Sequence, residues 1–346
     1  MCRKGLVLII TFFSFVVFQA LGQPTQKKQK VFLFWNVENY FDPFNDPKTA
    51  DEDFSLGGKN YWNWKKFEKK RNAIAKVILS AADKYECFPI IVGLAEIENR
   101  MVLNQIINET ALSRLEYSII HKNSPDKRGI DVALLYSNKD FKPLSTEFLQ
   151  VTLPDSSSTR DILYVKGLLQ NSPSLADTIH IFVNHWPSKL GGEKKSLSKR
   201  MAAAKTLKTK VDSIFNLSVN TYSYSVCPFS EQVTYNTPKI IIMGDFNDIP
   251  DSNPLIYLCD TLLTNLALPL FSEGKGTIKY KGEWEMIDQI IISKSLVTNS
   301  EFSIFSPENL LEKDKTYLGK KPFRTFIGPR YNGGISDHLP VVLILH

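Results

Sequence analysis

Residues 239–248 read KIIIMGDFND. Three consecutive isoleucines and a methionine suit a strand buried on both faces. Asp245, Asn247 and Asp248 follow at once, although acids and amides are poor strand formers. A carboxylate taken into a core is costly unless something pairs with it. The segment is therefore either a polar turn that follows a strand or the end of a sheet that holds oxygen ligands over a site.

Similar runs recur along the chain: VFLFWNV (31–37), PIIVGLAEI (89–97), YSII (117–120), DVALLYS (131–137), ILYVKGLL (162–169), TIHIFVNHW (178–186), MIDQIIIS (286–293) and LPVVLILH (339–346). β-Branched and aromatic residues fill them, and Pro, Gly, Asn or Asp bound them, which predicts strands. Between them NWKKFEKKRNAIAKVILSAA (63–82) places Trp64, Phe67, Ile74 and Ile78 at helical spacing, with Lys and Arg between. NRMVLNQIINETAL (99–112) and KKSLSKRMAAAKTLKTKVDSIF (194–215) also read as amphipathic helices. Segments 219–238 and 306–323 read as surface excursions, not domain boundaries. Interspersed strands and helices without repeats predict a single α/β domain, taken as residues 28–346.

Apolar residues at 43% and aromatics at 12% suffice for a large core, which excludes a disordered chain. The first 22 residues stand apart. Arg3 and Lys4 precede an apolar run from Leu6 to Phe18, and Ala20-Leu21-Gly22 has the small-x-small form of a cleavage site. This is the pattern of a signal peptide, shorter than the ~20 apolar residues of a membrane helix. A secreted or periplasmic protein cleaved after Gly22 is expected, with no membrane span after cleavage. Losing Arg3 and Lys4 would lower the formal charge from +6 to +4, too mild to argue for nucleic acid by itself. Cys87, Cys227 and Cys259 would remain, an odd number without a C-x-x-C metal spacing.

The polar residues at the strand ends form a set. They are Asn36 and Glu38, Glu96 and Glu98, Arg128 and Asp131, Asn184 and His185, Asp245, Asn247 and Asp248, Asp288, and Asp337 with His338. Hard oxygen donors of this kind suit Mg²⁺ or Mn²⁺, while five histidines without H-x-x-x-H spacing suit zinc poorly. Carboxylates, a metal and imidazoles are what attack by water on phosphorus requires. Taken singly, each residue has a plain alternative as a cap, turn former or satisfied surface pair. Joint occurrence at the ends of six or seven strands carries the weight.

In this order and spacing the residues resemble the endonuclease/exonuclease/phosphatase family, from about residue 31 to the C-terminus. WNVEN (35–39), GDFND (244–248) and SDHLPV (336–341) together carry the resemblance, and VNHWPSKLGG (183–192) is most similar to a secreted bacterial branch of predicted nucleases. The resemblance implies a four-layer α/β sandwich, with two mixed β-sheets packed face to face and helices outside. It implies Glu96 as principal metal ligand, with Asn36 beside it and Asp337 supporting the metal. It makes Asp245 and Asn247 the residues that position or deprotonate water. It places His338 on the scissile phosphate, held in its tautomer by Asp288, and offers His185 as a general acid. Asp131 is offered as an orienter of His185, and Arg128, Lys189 and Arg200 as contacts to substrate, with Lys194 a further basic neighbour. Glu38 is expected to support the metal site from behind. Glu98 and Asp248 are read as turn or cap residues.

The substrate stays open between two classes. One is DNA or RNA, cleaved by a monomeric endonuclease without a stable protein partner; Trp62, Trp64 and Trp284 could stack on bases or belong to the core. The other is sphingomyelin, an inositol phosphate or another small phosphoester. A surface binding protein that had lost catalysis would have shed the acids, yet every expected role here has its residue.

Overall fold

The computed structural model describes residues 29–170, 178–189, 191–222 and 237–346. The expected signal segment, Cys227 and most of the excursion at 219–238 lie outside the described residues. Twelve strands build two six-stranded sheets: β1 (Lys30–Tyr40), β2 (Pro89–Ile97), β3 (Tyr117–His121), β4 (Asp131–Ser137), β5 (Phe141–Leu149), β6 (Ile162–Leu169), β7 (Thr178–His185), β8 (Lys239–Asp245), β9 (Leu263–Asn265), β10 (Asp288–Ser293), β11 (Ser300–Ile304) and β12 (Val341–Leu345). The first sheet runs β11-β12-β1-β2-β4-β3 and the second β5-β6-β7-β8-β10-β9.

Each sheet is antiparallel except at one central pair, β1 with β2 and β7 with β8. Parallel neighbours cannot be joined by a tight turn and need a crossover. The helix α1 (Trp64–Lys84) supplies it between β1 and β2, and α3 (Glu193–Tyr222) between β7 and β8. Asn63 caps α1 by accepting from the Lys66 amide, and Phe67, Ile74, Ile78 and Ala81 line its buried face. A shorter helix, α2 (Arg100–Asn108), is capped in the same way by Asn99.

Strand alternation sorts the apolar residues into three layers. On β1, Val31, Leu33 and Trp35 face the helices α1 and α2, whereas Phe32 and Phe34 enter the core between the sheets. On β8, Ile241 and Met243 face that central core, and Ile240 and Ile242 face α3. Two sheets between two helical layers are the four-layer sandwich expected. Gly93 lies where the sheets approach closely; a Cβ there would sit 2.8 Å from Met243 Sδ.

The same alternation positions the polar set. Asn36 continues the inward series Phe32, Phe34; His185 continues Ile179, Ile181, Val183; Asp245 continues Ile241, Met243; and Asp288 precedes Ile290 and Ile292 on the inward face of β10. Register pairs His185 with Asp245 and Asp245 with Asp288, so the polar ends share one level. The site is the polar end of the inter-sheet core.

Candidate active site

Asp245 lies at the centre. Its Oδ2 accepts from Asn36 Nδ2 at 2.9 Å, and its Oδ1 from the Asn247 amide at 2.9 Å. His185 Nε2 is 3.6 Å and His338 Nε2 3.9 Å from the same Oδ2. His338 Nδ1 is bonded to Asp288 Oδ2 at 2.7 Å, and Thr277 Oγ1 donates to that oxygen at 2.5 Å. The loop bearing His338 is tied to β1: Ser336 Oγ donates to the Asn36 carbonyl, and Trp35 Nε1 to the His338 carbonyl.

Glu96 reaches the site through a backbone irregularity. The β1–β2 register shifts between Asn36 and Tyr40, and the β2–β4 register between Ala95 and Ile97. Glu38, Asn39, Glu96 and Asn247 all have positive φ, between +50° and +62°. Such non-glycine conformations cost of order 1 kcal/mol each and persist only where the surroundings hold them. Here the Asn39 amide donates to Glu96 Oε2 at 2.7 Å, while Glu96 Oε1 lies 3.9 Å from His185 Nε2.

Asp337 stands at the rim, where Arg324 Nη2 donates to its Oδ2 at 2.8 Å. Glu38 lies behind it, accepting from the Thr325 amide at 2.7 Å and from Arg324 at 3.4 Å. Buried Lys70 donates to the Glu38 carbonyl and to Thr325 Oγ1. Burial and Asp337 push the Glu38 carboxyl up, against Lys70 and Arg324.

The two histidines are held in opposite states. Burial alone would lower His338, but Asp288, Asp245 and Asp337 raise it well above the ordinary imidazole value. Burial, Arg160, Arg128 and His338 hold His185 well below it. His185, offered above as a general acid, is thus held toward the neutral imidazole and His338 toward the imidazolium. Burial also pushes the Asp245 carboxyl up, against the pull of His338 and with Asp288 adding to the rise.

Not every expected residue arrives. The Asp131 carboxylate contacts His121 Nε2 at 3.1 Å and the Ser124 amide at 2.9 Å, whereas His185 Nδ1 has no hydrogen-bond partner among the described residues. Arg200 is fully buried and bonded through Nε to Asp248 at 2.7 Å, a pair that locks α3 to the loop after β8 instead of facing substrate. Glu98 accepts from the Asp42 amide, in keeping with a loop-fixing role. Lys189 and Arg128 remain partly exposed near the rim. Trp62 belongs to the core, with Nε1 donating to the Phe41 carbonyl at 2.8 Å.

Sequence reasoning passed over Thr277, Arg324, Lys70 and Arg160. The last bridges Asp126 Oδ2 at 3.0 Å and the Trp186 carbonyl at 2.7 Å. Arg160 and Asp161 directly precede the apolar run of β6, which was the available signal; Thr277 and Arg324 lie in short ribbons and loops without one.

The donors present suit a hard divalent cation. Asn36 and Asp245 are bonded to each other, Glu96 Oε1 and Asp337 Oδ1 lie 3.9 and 3.8 Å from His185 and His338, and Asp288 Oδ1 is buried without a hydrogen-bond partner among the described residues. Asp245, Asp288 and His338 each offer a ligand atom within 4.8 Å of the others. That trio differs from the expected metal set of Asn36, Glu96 and Asp337, and the short Asp288–His338 bond engages two of its members with each other.

A sequence profile of the Endonuclease/Exonuclease/phosphatase family matches residues 31–346. A search of curated proteins finds no match. Among solved structures, truncated TDP2 of Caenorhabditis elegans superposes with a TM-score of 0.55 at 15% identity, covering 92% of this chain and 97% of that one. The human Nocturnin catalytic domain, solved with a bound sulfate anion, gives 0.52 at 17% identity over 92% and 94%. TDP2 of D. rerio, complexed with single strand DNA product, gives 0.50 at 12% over 92% and 99%. At such identities the likeness speaks for the fold. With the profile spanning nearly the whole described chain, the protein belongs to the endonuclease/exonuclease/phosphatase family of phosphoester hydrolases.

Proposed function

We propose that this protein is a secreted or periplasmic, divalent-metal-dependent phosphodiesterase that acts as an endonuclease on DNA or RNA. The observation that carries the reading is the meeting of Asn36, Glu96, His185, Asp245, Asp288 and His338 at one end of the inter-sheet core. A fold neighbour complexed with single strand DNA product is consistent with a nucleic-acid substrate.

Glu96, Asn36 and Asp337 would hold Mg²⁺ or Mn²⁺, which when bound neutralises charge on the phosphate. Asp245, fixed by Asn36 and the Asn247 amide, orients the attacking water and takes its proton; its raised affinity for protons suits a base near neutral pH. His338, charged and held by Asp288, faces the phosphate and is placed to donate to the leaving oxygen. Neutral His185 acts as a hydrogen-bonding partner to a non-bridging oxygen. Strand ends fix these groups before substrate arrives, which lowers the orientational cost of an in-line attack.

A second reading draws on one surface feature. Two ribbons, 278–285 and 311–322, rise beside Asp288 and expose Tyr280, Tyr317 and Leu318, with Lys279 Nζ donating to the Leu318 carbonyl. An apolar tip flanked by lysines suits a lipid interface and hence a sphingomyelin-type substrate.

The test is hydrolysis by protein lacking residues 1–22, with Mg²⁺, Mn²⁺ or EDTA, on supercoiled plasmid, RNA, sphingomyelin and inositol phosphates. Metal-dependent nicking that disappears in Glu96→Ala and His338→Ala is expected, each variant losing about 10²-fold or more. Intact plasmid and RNA beside a cleaved lipid or inositol phosphate would transfer the function to the second reading.

A further inference from the structure

A second cleft opens on the same lip of the sandwich, at the far side of β7 from Asp245. The loop 122–130 joins β3 to β4, and the loop 150–161 joins β5 to β6; both lie at the end of the sheets where β7 delivers His185. Between them is a cavity of about 430 Å³ lined by Lys122, Asn123, Ser124, Phe148, Gln150 and Asp161.

Asp161 belongs to the same inward-facing series that builds the catalytic end. It precedes Leu163 and Val165, which enter the inter-sheet core. The β6–β7 register pairs Leu163 with Val183, so one further step of alternation places Asp161 level with His185. Arg160 ties the two places together, donating to the carbonyl of Trp186 and to Asp126.

The chemistry of the cleft is selective. Asp161 is 5% exposed, and its Oδ1 has no hydrogen-bond partner among the described residues, while Oδ2 lies 3.6 Å from the exposed Lys122 ammonium. The same ammonium sits 5.5 Å from the ring centroid of half-buried Phe148. A carboxylate with an unused acceptor repels phosphate and attracts an N–H donor. A flat ring offers a stacking face, and a mobile lysine at the mouth reaches a phosphate. An acyl chain would strand both charges, and an inositol polyphosphate would set its anions against Asp161.

We propose that this cleft is a substrate subsite that holds a base carrying an exocyclic amino group, one nucleotide or more from the scissile phosphate. In it Lys122 swings from Asp161 and the Phe148 ring to the adjoining phosphate, which uncovers both: the Asp161 carboxylate then accepts from the amino group and Phe148 stacks on the base. Thymine and uracil fit poorly, because two carbonyls flank their single N–H donor. The inference rests on the nucleic-acid reading above and names its sequence preference.

The experiment is equilibrium binding of fluorescein-labelled oligo-dC and oligo-dT, both pyrimidines of similar stacking area, to the purified protein in EDTA at several salt concentrations. Wild type is expected to bind oligo-dC about tenfold more tightly than oligo-dT, as a hydrogen bond to a buried carboxylate allows. Asp161→Asn brings the ratio close to one; Lys122→Ala weakens both ligands alike and lowers the salt slope by about one contact. An equal affinity of wild type for the two, a ratio unchanged in Asp161→Asn, or no binding of either overturns the subsite. Should Asp161→Asn fail to fold, Phe148→Ala and Lys122→Ala decide: full affinity for oligo-dC in both overturns it. Hydrolysis of oligonucleotides read in parallel with Mg²⁺ separates the two claims. Cleavage without base preference sinks the subsite alone, and Asp161-dependent binding without cleavage sinks the nuclease alone.

Discussion

His185 and His338 approach one oxygen of Asp245 from two sides, yet their surroundings drive them apart. Asp288 makes the difference: it bonds His338 and has no counterpart at His185, whose nearby charges include the cations Arg160 and Arg128. On the proposed mechanism, splitting two titratable neighbours in this way separates acid from base within one site. The sign of the pH dependence follows. A raised His338 stays an imidazolium through neutral pH, so a step that needs its proton persists there and fades as pH rises through the elevated value. Asp288→Asn removes the charge that holds the proton, so the alkaline limb of kcat/KM moves to lower pH and the rate at neutral pH falls about 10²–10³-fold. Full pH–rate profiles of both proteins check this. A limb that stays in place would assign it to a group other than His338.

At the scale of strands, burial on both faces made the sheet centres readable. PIIVGLAEI at 89–97 coincides with β2, and KIIIMGD with β8, because continuous apolar runs bounded by turn formers leave little choice. The strands passed over, β5, β9 and β11, are all edges. β5 shows why: FKPLSTEFL exposes Lys142 and Glu147 and carries Pro143 at a break in register, features that blunt an edge and erase its alternation. Residues of the candidate site on strand ends were readable for the same reason as the strands. Those in short loops, such as Thr277 just before the 278–285 ribbon, or reached across the fold, such as Arg324, had no periodic frame to mark them. Glycine in GDFND makes a testable claim at this scale. A Cβ at Gly244 would meet Asn184 Cβ at 2.5 Å and its carbonyl oxygen at 2.6 Å, neither of which can move without shifting β7. At Gly93 the nearest atom is the mobile sulfur of Met243. Gly244→Ala should therefore lower stability by about 1–3 kcal/mol in urea unfolding and disturb Asp245, with Gly93→Ala costing less. The reverse order would mean that the sheet pair, not the β7–β8 ladder, is the stiffer contact.

Across the whole molecule, charge is nearly balanced and its placement matters more than its sum. The centre of the site is acidic, so a polyanionic substrate of the kind proposed has to be drawn in by cations at the rim. Lys122, Arg128 and Lys189 are partly exposed cations placed there, with side-chain exposures of 59%, 49% and 34%, while Arg324, 46% exposed, is already engaged by Asp337 and Glu38. Each counterion-releasing phosphate contact on duplex DNA adds about −0.9 to the slope of log K against log salt. Three contacts give a slope of about −2.7 for wild type, and Arg128→Ala or Lys189→Ala should each reduce it by about one unit without altering the metal requirement. Arg200→Ala behaves differently. Its guanidinium is buried against Asp248, and removing it leaves that buried carboxylate with only the Lys189 ammonium at 3.8 Å, at a cost of about 3 kcal/mol in folding stability. Plasmid binding in EDTA, titrated from low to high salt for the four proteins beside their urea midpoints, separates rim cations from structural ones. A salt-independent wild type would rule out a polymeric polyanion as substrate and leave the small or lipid phosphoesters.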